Sequence, residues 1–183
     1  MSSEQLDKNA PYWNSEAARR PALYRELERD PYATAFTYGR HKLHLILERI
    51  LRELGNAARV LDVGCGTGDQ LRICRDLRVS VVGLEPSSSL RAVAQQLNPG
   101  VPVIDGTIMS LPFKEESFDF AYSIEVLRYF PAADRLGAYR EVLRVLKPGG
   151  RFFFTMGNRY ALDGFSVYSG VRSLACRLRG LAA

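Results

Sequence analysis

Val60-Leu61-Asp62-Val63-Gly64-Cys65-Gly66-Thr67-Gly68-Asp69 runs from a short apolar stretch through an acid into glycines at every second position. Glycine has no Cβ and tolerates positive φ, so such a turn lets backbone approach a ligand closely. The residues that follow, Gln70 to Leu77, open as a helix, whose free N–H groups and positive end suit a polar small molecule. The stretch reads as strand, tight turn and helix.

The same alternation continues downstream. Short β-type runs at Arg59–Val63, Val79–Leu84, Val101–Ile104, Phe118–Ser123 and Arg151–Thr155 are separated by helical patterns at Gln70–Leu77, Ser88–Leu97 and Arg135–Leu146. Nearly continuous apolar strands between helices imply a parallel sheet covered on both faces. Right-handed crossovers then place the ligand at the carboxyl ends of the strands. The expected fold is α/β: a doubly wound, mostly parallel sheet of about five strands with helices on both faces. The glycine turn lies at one strand end and Glu85 at the next.

Three segments follow from this pattern. Residues 1–58 read as a helical N-terminal extension, clearest from Arg40 to Leu54, where Leu43, Ile46, Leu47, Ile50, Leu51 and Leu54 recur at helical spacing before a Gly55 stop. Residues 59–156 form the ligand-binding core. In residues 157–183, Val167, Val171, Leu174 and Leu178 fall at helical spacing, fringed by Arg172, Arg177 and Arg179, which predicts a basic C-terminal helix.

At 183 residues with 46% hydrophobic content, one domain with a real core is expected. Three cysteines, Cys65, Cys74 and Cys176, and two histidines, His41 and His44, lack the spacing of a metal site, so no metal is expected. Reduced thiols and the polar start MSSEQLDKNA point to a cytoplasmic protein. The net charge of +5 is concentrated at the end, where Arg151, Arg159, Arg172, Arg177 and Arg179 face the single acid Asp163. A basic tail on a balanced body argues against nucleic acid as a partner, and membrane contact by the last helix is the weaker of two readings against packing on the sheet.

Glu85 follows Gly64 by 21 residues, where a dinucleotide-binding fold also places its ribose-binding acid. Two features disfavour a nicotinamide dinucleotide and its oxidoreductase chemistry. The glycines are Gly64, Gly66 and Gly68, with Asp69 where the sixth-position glycine would stand. Asp62, two residues before the first glycine, would repel a pyrophosphate and attract an ammonium group.

Several motifs in order resemble the class I S-adenosylmethionine-dependent methyltransferases. LDVGCGTG is similar to that family's glycine-rich loop, and VVGLEPSSSL to its second strand with a terminal acid. SLPFKEESFDFAYSIEVLRYF is similar to the stretch around strand four, and EVLRVLKPGGRFFFT to the helix, turn and fifth strand. The resemblance, from about Val60 to Met156, implies S-adenosylmethionine as cofactor and methyl transfer to an acceptor, expected to be a small molecule. It further implies backbone of Gly64, Gly66 and Gly68 against the methionyl part and ribose, Asp62 toward the methionyl ammonium, and Glu85 on both ribose hydroxyls. Pro86 would lie near adenine, Thr107 and Ile108 in the adenine-side turn, and Ser123 beside the methyl donor. No catalytic residue is assigned; Tyr122, Glu125, Tyr129, His41 and His44 are candidates where a base is needed. Tyr12, Trp13, Tyr24, Tyr32, Phe36 and Tyr38 supply aromatics for a lid over the sulfonium, and Arg40 is a candidate for the methionyl carboxylate.

Two departures stand out. Gly106-Thr107-Ile108 puts threonine where members often carry aspartate, removing charge assistance from an adenine contact. After strand five the family's sheet normally ends in an antiparallel hairpin, and the remaining residues show no two further strands. A shortened domain, and a cofactor-binding or scaffolding protein without turnover, are therefore the alternatives. An edge of strand five left open in this way would favour pairing with a second chain.

Overall fold

Thr34 sets the start of the first long core helix. Its side chain accepts from Thr37 N while the Thr37 hydroxyl accepts from Thr34 N, a reciprocal cap that begins the helix ahead of the apolar repeat. A computed structural model describes residues 10–157 and 167–169. Two helices precede the sheet, α1 (Ala10–Arg29) and α2 (Ala35–Leu54). Then come β1 (Arg59–Val63), α3 (Asp69–Asp76), β2 (Ser80–Leu84), α4 (Ser88–Leu97), β3 (Val103–Ile104), β4 (Phe118–Ser123), a 3₁₀ turn Leu127–Tyr129, α5 (Ala132–Val145), β5 (Leu146–Gly157) and β6 (Val167–Ser169).

The sheet order is β3-β2-β1-β4-β5-β6. The first five strands are parallel, and the chain reverses direction across the sheet at β1, the usual place for a ligand crevice in such a fold. Register matters for the site. Asp62 pairs with Gly83 on one side and Tyr122 on the other, so Asp62 and Tyr122 share a face. Alternation divides the core: Leu47, Leu51, Val60, Tyr122 and Phe153 pack on the face under α2 and α3. Leu61, Val63, Ala121, Val142 and Phe152 pack on the face under α5. Asp62 is thus a carboxylate on an otherwise apolar face.

The fifth strand begins earlier than its apolar run. Phe118 pairs with Leu146 but Phe120 with Arg151, so Lys147-Pro148-Gly149-Gly150 bulges out between two paired stretches, with Gly149 at φ +82°. The far edge differs from the sequence expectation. Val167–Ser169 pairs antiparallel with Thr155–Gly157 rather than opening a helix at Val167, and it covers β5 there with the chain's own backbone. The remainder of the predicted C-terminal helix lies outside the described residues. No helix among the described residues is long and apolar enough to cross a membrane.

Candidate functional site

The glycine turn hangs from the tip of β2. Gly64 N and Cys65 N both donate to Leu84 O, at 2.7 and 3.0 Å, and Gly68 N closes the turn on Cys65 O at 2.9 Å. The three glycines do different work. At Gly64 (φ +80°) a Cβ would stand 2.4 Å from Val126 Cγ2, and at Gly68 (φ +82°) 2.4 Å from Asn98 Nδ2. Those two are demanded by packing as well as by φ. At Gly66 (φ +58°) the nearest atom to a Cβ would be Arg20 Nη1, at 3.7 Å. Of the three, only Gly66 has a Cβ position that meets no more than an ordinary contact, in the space beneath Arg20.

That space is a cavity of about 410 Å³ at the carboxyl ends of the strands. Its floor is the glycine turn with Glu85, Pro86, Thr107 and Ile108; its roof is α1 and α2, through Trp13, Arg20, Tyr24 and Arg40; a side wall is Glu125 to Phe130. Glu85 is only 6% exposed. Its Oε2 accepts from Gly66 N and its Oε1 from Ser87 N, both at 2.9 Å. Burial raises its carboxyl above the ordinary range, against those two backbone donors and the charges of Arg20 and Arg91.

Asp62 lies behind the turn, 2% exposed, and its Oδ2 has no hydrogen-bond partner. Burial pushes its carboxyl well above the usual carboxylate value, the Tyr122 hydroxyl bonds to it and opposes this, and Glu85 and Asp69 reinforce it. Asp69, the first residue of α3, behaves oppositely. Burial works against its charge, but His44, Arg40 and Arg72 outweigh burial and hold it below the ordinary range. Arg40 Nη2 bonds Asp69 Oδ2, His44 Nε2 stands 3.2 Å from the same oxygen, and the Arg40 guanidinium lies 4.1 Å over the Tyr24 ring. Asp69 therefore ties α2 to the helix that leaves the glycine turn.

The roof has its own ion pairs. Buried Glu16 accepts from Arg20 Nε and Arg19 Nη2, both at 2.7 Å, which fixes Arg20 over Gly66. Trp13 meets Tyr129 edge-on at 5.6 Å and Tyr12 at 4.8 Å, closing that end with aromatic surface. On the wall, Glu125 sits at φ +61°, an uncommon conformation for a residue with a side chain. Thr155 anchors it: Glu125 N donates to Thr155 Oγ1 at 2.8 Å, and that hydroxyl donates to Glu125 Oε1 at 3.1 Å. Arg128 bonds the other carboxylate oxygen at 2.8 Å.

Of the residues read from the sequence, Gly64, Gly66, Glu85, Pro86, Thr107 and Ile108 line the cavity. Asp62, Gly68 and Ser123 are not among the lining residues. Ser123 is fully buried, and its hydroxyl donates to Val63 O at 3.0 Å, which braces β1 against β4. Gly68 likewise serves the seam with α4, where Asn98 Nδ2 donates to its carbonyl. Tyr122, weighed as a base, is buried beneath the site with its hydroxyl raised well above the ordinary tyrosine range by burial. Of the aromatics considered for a lid, Tyr12, Trp13, Tyr24 and Phe36 line the cavity, whereas Tyr32 and Tyr38 form a surface pair 6.0 Å apart. Among the described residues no cluster of histidine, cysteine, aspartate or glutamate is arranged to hold a metal ion.

The sequence profile of the methyltransferase domain family matches residues 61–154, just over half of the chain and the whole floor of the site. The chain belongs to the class I S-adenosylmethionine-dependent methyltransferases. A tRNA (carboxymethyluridine(34)-5-O)-methyltransferase of Schizosaccharomyces pombe is 33% identical, over 75% of this chain and 60% of that protein. A sterol 24-C-methyltransferase of Debaryomyces hansenii is 36% identical, over 55% of this chain and 28% of its own length. Among solved structures, an S-adenosylmethionine-dependent methyltransferase from Mesorhizobium loti superposes with a TM-score of 0.54 at 27% identity, covering 70% of this chain and 63% of that one. The chain spans less than two thirds of the curated relatives it matches.

Several residues of this site are not reached from sequence. Val126 and Asn98, which dictate Gly64 and Gly68, carry no motif signal. The Glu16–Arg20 pair had one, its spacing of one helical turn. Tyr122 beside Asp62 depends on the register of β4 against β1.

Proposed function

We propose that the chain binds S-adenosylmethionine beneath α1 and transfers its methyl group to a small-molecule acceptor. The observation that carries this is the pair of buried acids around one glycine turn: Asp62 with an oxygen that has no partner, and Glu85 at the next strand tip. The residues present fit the cofactor. An ammonium group would satisfy Asp62 Oδ2 directly or through a bridging water, and a carboxylate offers about four acceptor positions, of which Gly66 N and Ser87 N use two at Glu85, leaving room for a ribose diol. Gly66 leaves the space such a ligand needs. Pro86, Thr107 and Ile108 would border the base, with the Thr107 hydroxyl available as an uncharged acceptor.

When bound, the sulfonium supplies an electrophilic methyl group. Transfer is an in-line displacement, so the work of the chain is to position the nucleophile and exclude water. Tyr12, Trp13, Tyr24 and Tyr129 do the second, and aromatic faces also favour a cationic sulfur. A volume of about 410 Å³ is near the lower end of ligand sites, roughly 300–1,000 Å³, which suits a nucleoside-sized cofactor. The relatives named above differ in acceptor, so kinship does not choose one. In this reading residues 59–156 hold the cofactor and residues 1–58 form the lid. Free, buried Cys65 and Cys74 support a reducing, cytoplasmic setting.

Calorimetry with S-adenosylmethionine, S-adenosylhomocysteine and NAD tests the proposal. Binding of the sulfur nucleosides and not NAD is expected. Binding of NAD with neither sulfur compound would overturn it.

A further inference from the structure

Asp62 occupies an unusual position for an acid. It stands on the face of β1 that otherwise builds core, at register with Tyr122 on β4, and it is 2% exposed. The Tyr122 hydroxyl bonds its carboxyl and also lies 3.6 Å from Cys74 Sγ on α3, so the two carboxyl oxygens differ: the group is held by the hydroxyl, while Oδ2 has no partner. The groups that face it from each neighbouring element are Tyr122 from β4, Glu85 from the tip of β2, Asp69 and Cys74 from α3, and Cys65 from the turn itself. The charged ones that act on it are both acids. The nearby cations are committed one layer out: Arg20 and Arg91 act on Glu85, and Arg40, His44 and Arg72 act on Asp69.

An ionised carboxylate in such surroundings is strongly disfavoured, and a group so placed holds a proton instead. We propose that Asp62 and Tyr122 form a proton-coupled receptor for the ligand's ammonium group, in which Asp62 is a neutral acid in the free protein and releases its proton to solvent when the ammonium settles over the turn and pairs with Oδ2, directly or through a bridging water. This rests on the cofactor reading above and adds a coupling to it. The step balances: a neutral carboxylic acid and an ammonium ion become a carboxylate–ammonium pair, and one proton leaves to water. Tyr122 is a positioning residue, whose hydroxyl donates to the carboxylate as it forms. Affinity then rises with pH until the free acid ionises by itself, because only the free protein carries the extra proton.

The test is calorimetry of the full chain with S-adenosylhomocysteine in buffers of different ionisation enthalpy. Release approaching one proton per site is expected near neutral pH, with affinity increasing about tenfold per pH unit where Asp62 is protonated. 5′-Methylthioadenosine, which keeps the nucleoside and lacks the ammonium, should bind with no such release; equal release with both ligands would assign the proton to Glu85 and overturn the proposal. Tyr122→Phe keeps the ring and should shift the pH profile of binding upward, whereas a merely structural role would lower affinity equally at every pH. Carbon-13 NMR of the ligand-free protein, with Asp62→Asn to assign the signal, should show a protonated carboxyl at neutral pH. An ionised Asp62 there, or binding without proton release, removes this inference while leaving the cofactor reading in place. Failure of S-adenosylhomocysteine to bind at all removes both.

Discussion

The floor and the roof of the cavity are built on different principles. The floor is backbone: a turn hung from Leu84 O, glycines at alternate positions, and two acids at strand ends. The roof is side chain: Glu16 holding Arg20, Asp69 holding Arg40 and His44, and Trp13 against Tyr129. A backbone floor has one geometry and tolerates little change. A side-chain roof is made of pairs that can be exchanged one at a time, which suits a surface that must differ from one acceptor to another.

The largest expected effect lies within the floor. Gly64→Val would put a branched side chain at φ +80° against Val126, and urea unfolding should show a loss of about 3–5 kcal/mol. Gly66→Ala, whose Cβ would meet nothing nearer than Arg20 Nη1 at 3.7 Å, should cost only about 1–2 kcal/mol of stability while weakening S-adenosylhomocysteine binding. Equal destabilisation at the two positions would erase the distinction between a packing glycine and a ligand-side one.

Next comes Glu85→Ala, expected to cost about 2–4 kcal/mol of cofactor affinity through two charge-assisted bonds. Calorimetry reads it, and an unchanged dissociation constant removes Glu85 from the site. A roof variant such as Trp13→Ala should do the reverse, leaving cofactor affinity within about threefold and lowering turnover several-fold as water enters. If Trp13→Ala costs as much affinity as Glu85→Ala, floor and roof do not divide the work.

The two aspartates beside the turn sharpen the same contrast through pH. The folded-state carboxyl of Asp62 is raised, so the unfolded chain ionises first and the ligand-free fold loses stability as pH rises above about 4. Asp69 is lowered, so its contribution is present above that range and is lost as pH falls through it. Asp62→Asn should therefore raise ligand-free stability at neutral pH by about 1 kcal/mol or more while weakening ligand binding. Asp69→Asn should lower stability at neutral pH by about 1–2 kcal/mol, since it leaves Arg40 half-buried without its carboxylate. Thermal unfolding across pH distinguishes them; the same sign for both would contradict the assignment. The smallest effect belongs to Tyr32→Ser, 70% exposed in the turn before α2, which should stay within about 0.5 kcal/mol.

Much of this was legible before the chain was folded. Apolar runs at Arg59–Val63 and Phe118–Ser123 have the length and burial of parallel strands, and both became strands with those bounds. Boundaries moved where local chemistry outranked periodicity: the Thr34 cap lengthened α2, and the Lys147 to Gly150 bulge let β5 start at Leu146. The bond from the Ser123 hydroxyl to Val63 O was not legible, because a hydroxyl at a strand end reads the same whether it faces a ligand or a neighbouring carbonyl. Val167 misled because three apolar-rich residues beside an exposed strand edge are taken by pairing whatever their helical spacing.

By itself the sequence determined the order of elements, the turn at Gly64 to Gly68 and the acid at Glu85, because strand patterning, positive-φ glycine and short-range spacing are local properties of a chain. The tertiary structure decided which glycines are closed in by packing, which aspartate is paired and which is left with a bare oxygen. Those depend on Val126, Asn98, Tyr122 and Arg40, residues brought to the turn from up to some sixty positions away, and contacts across such distances are set by packing and register, not by the residues they join.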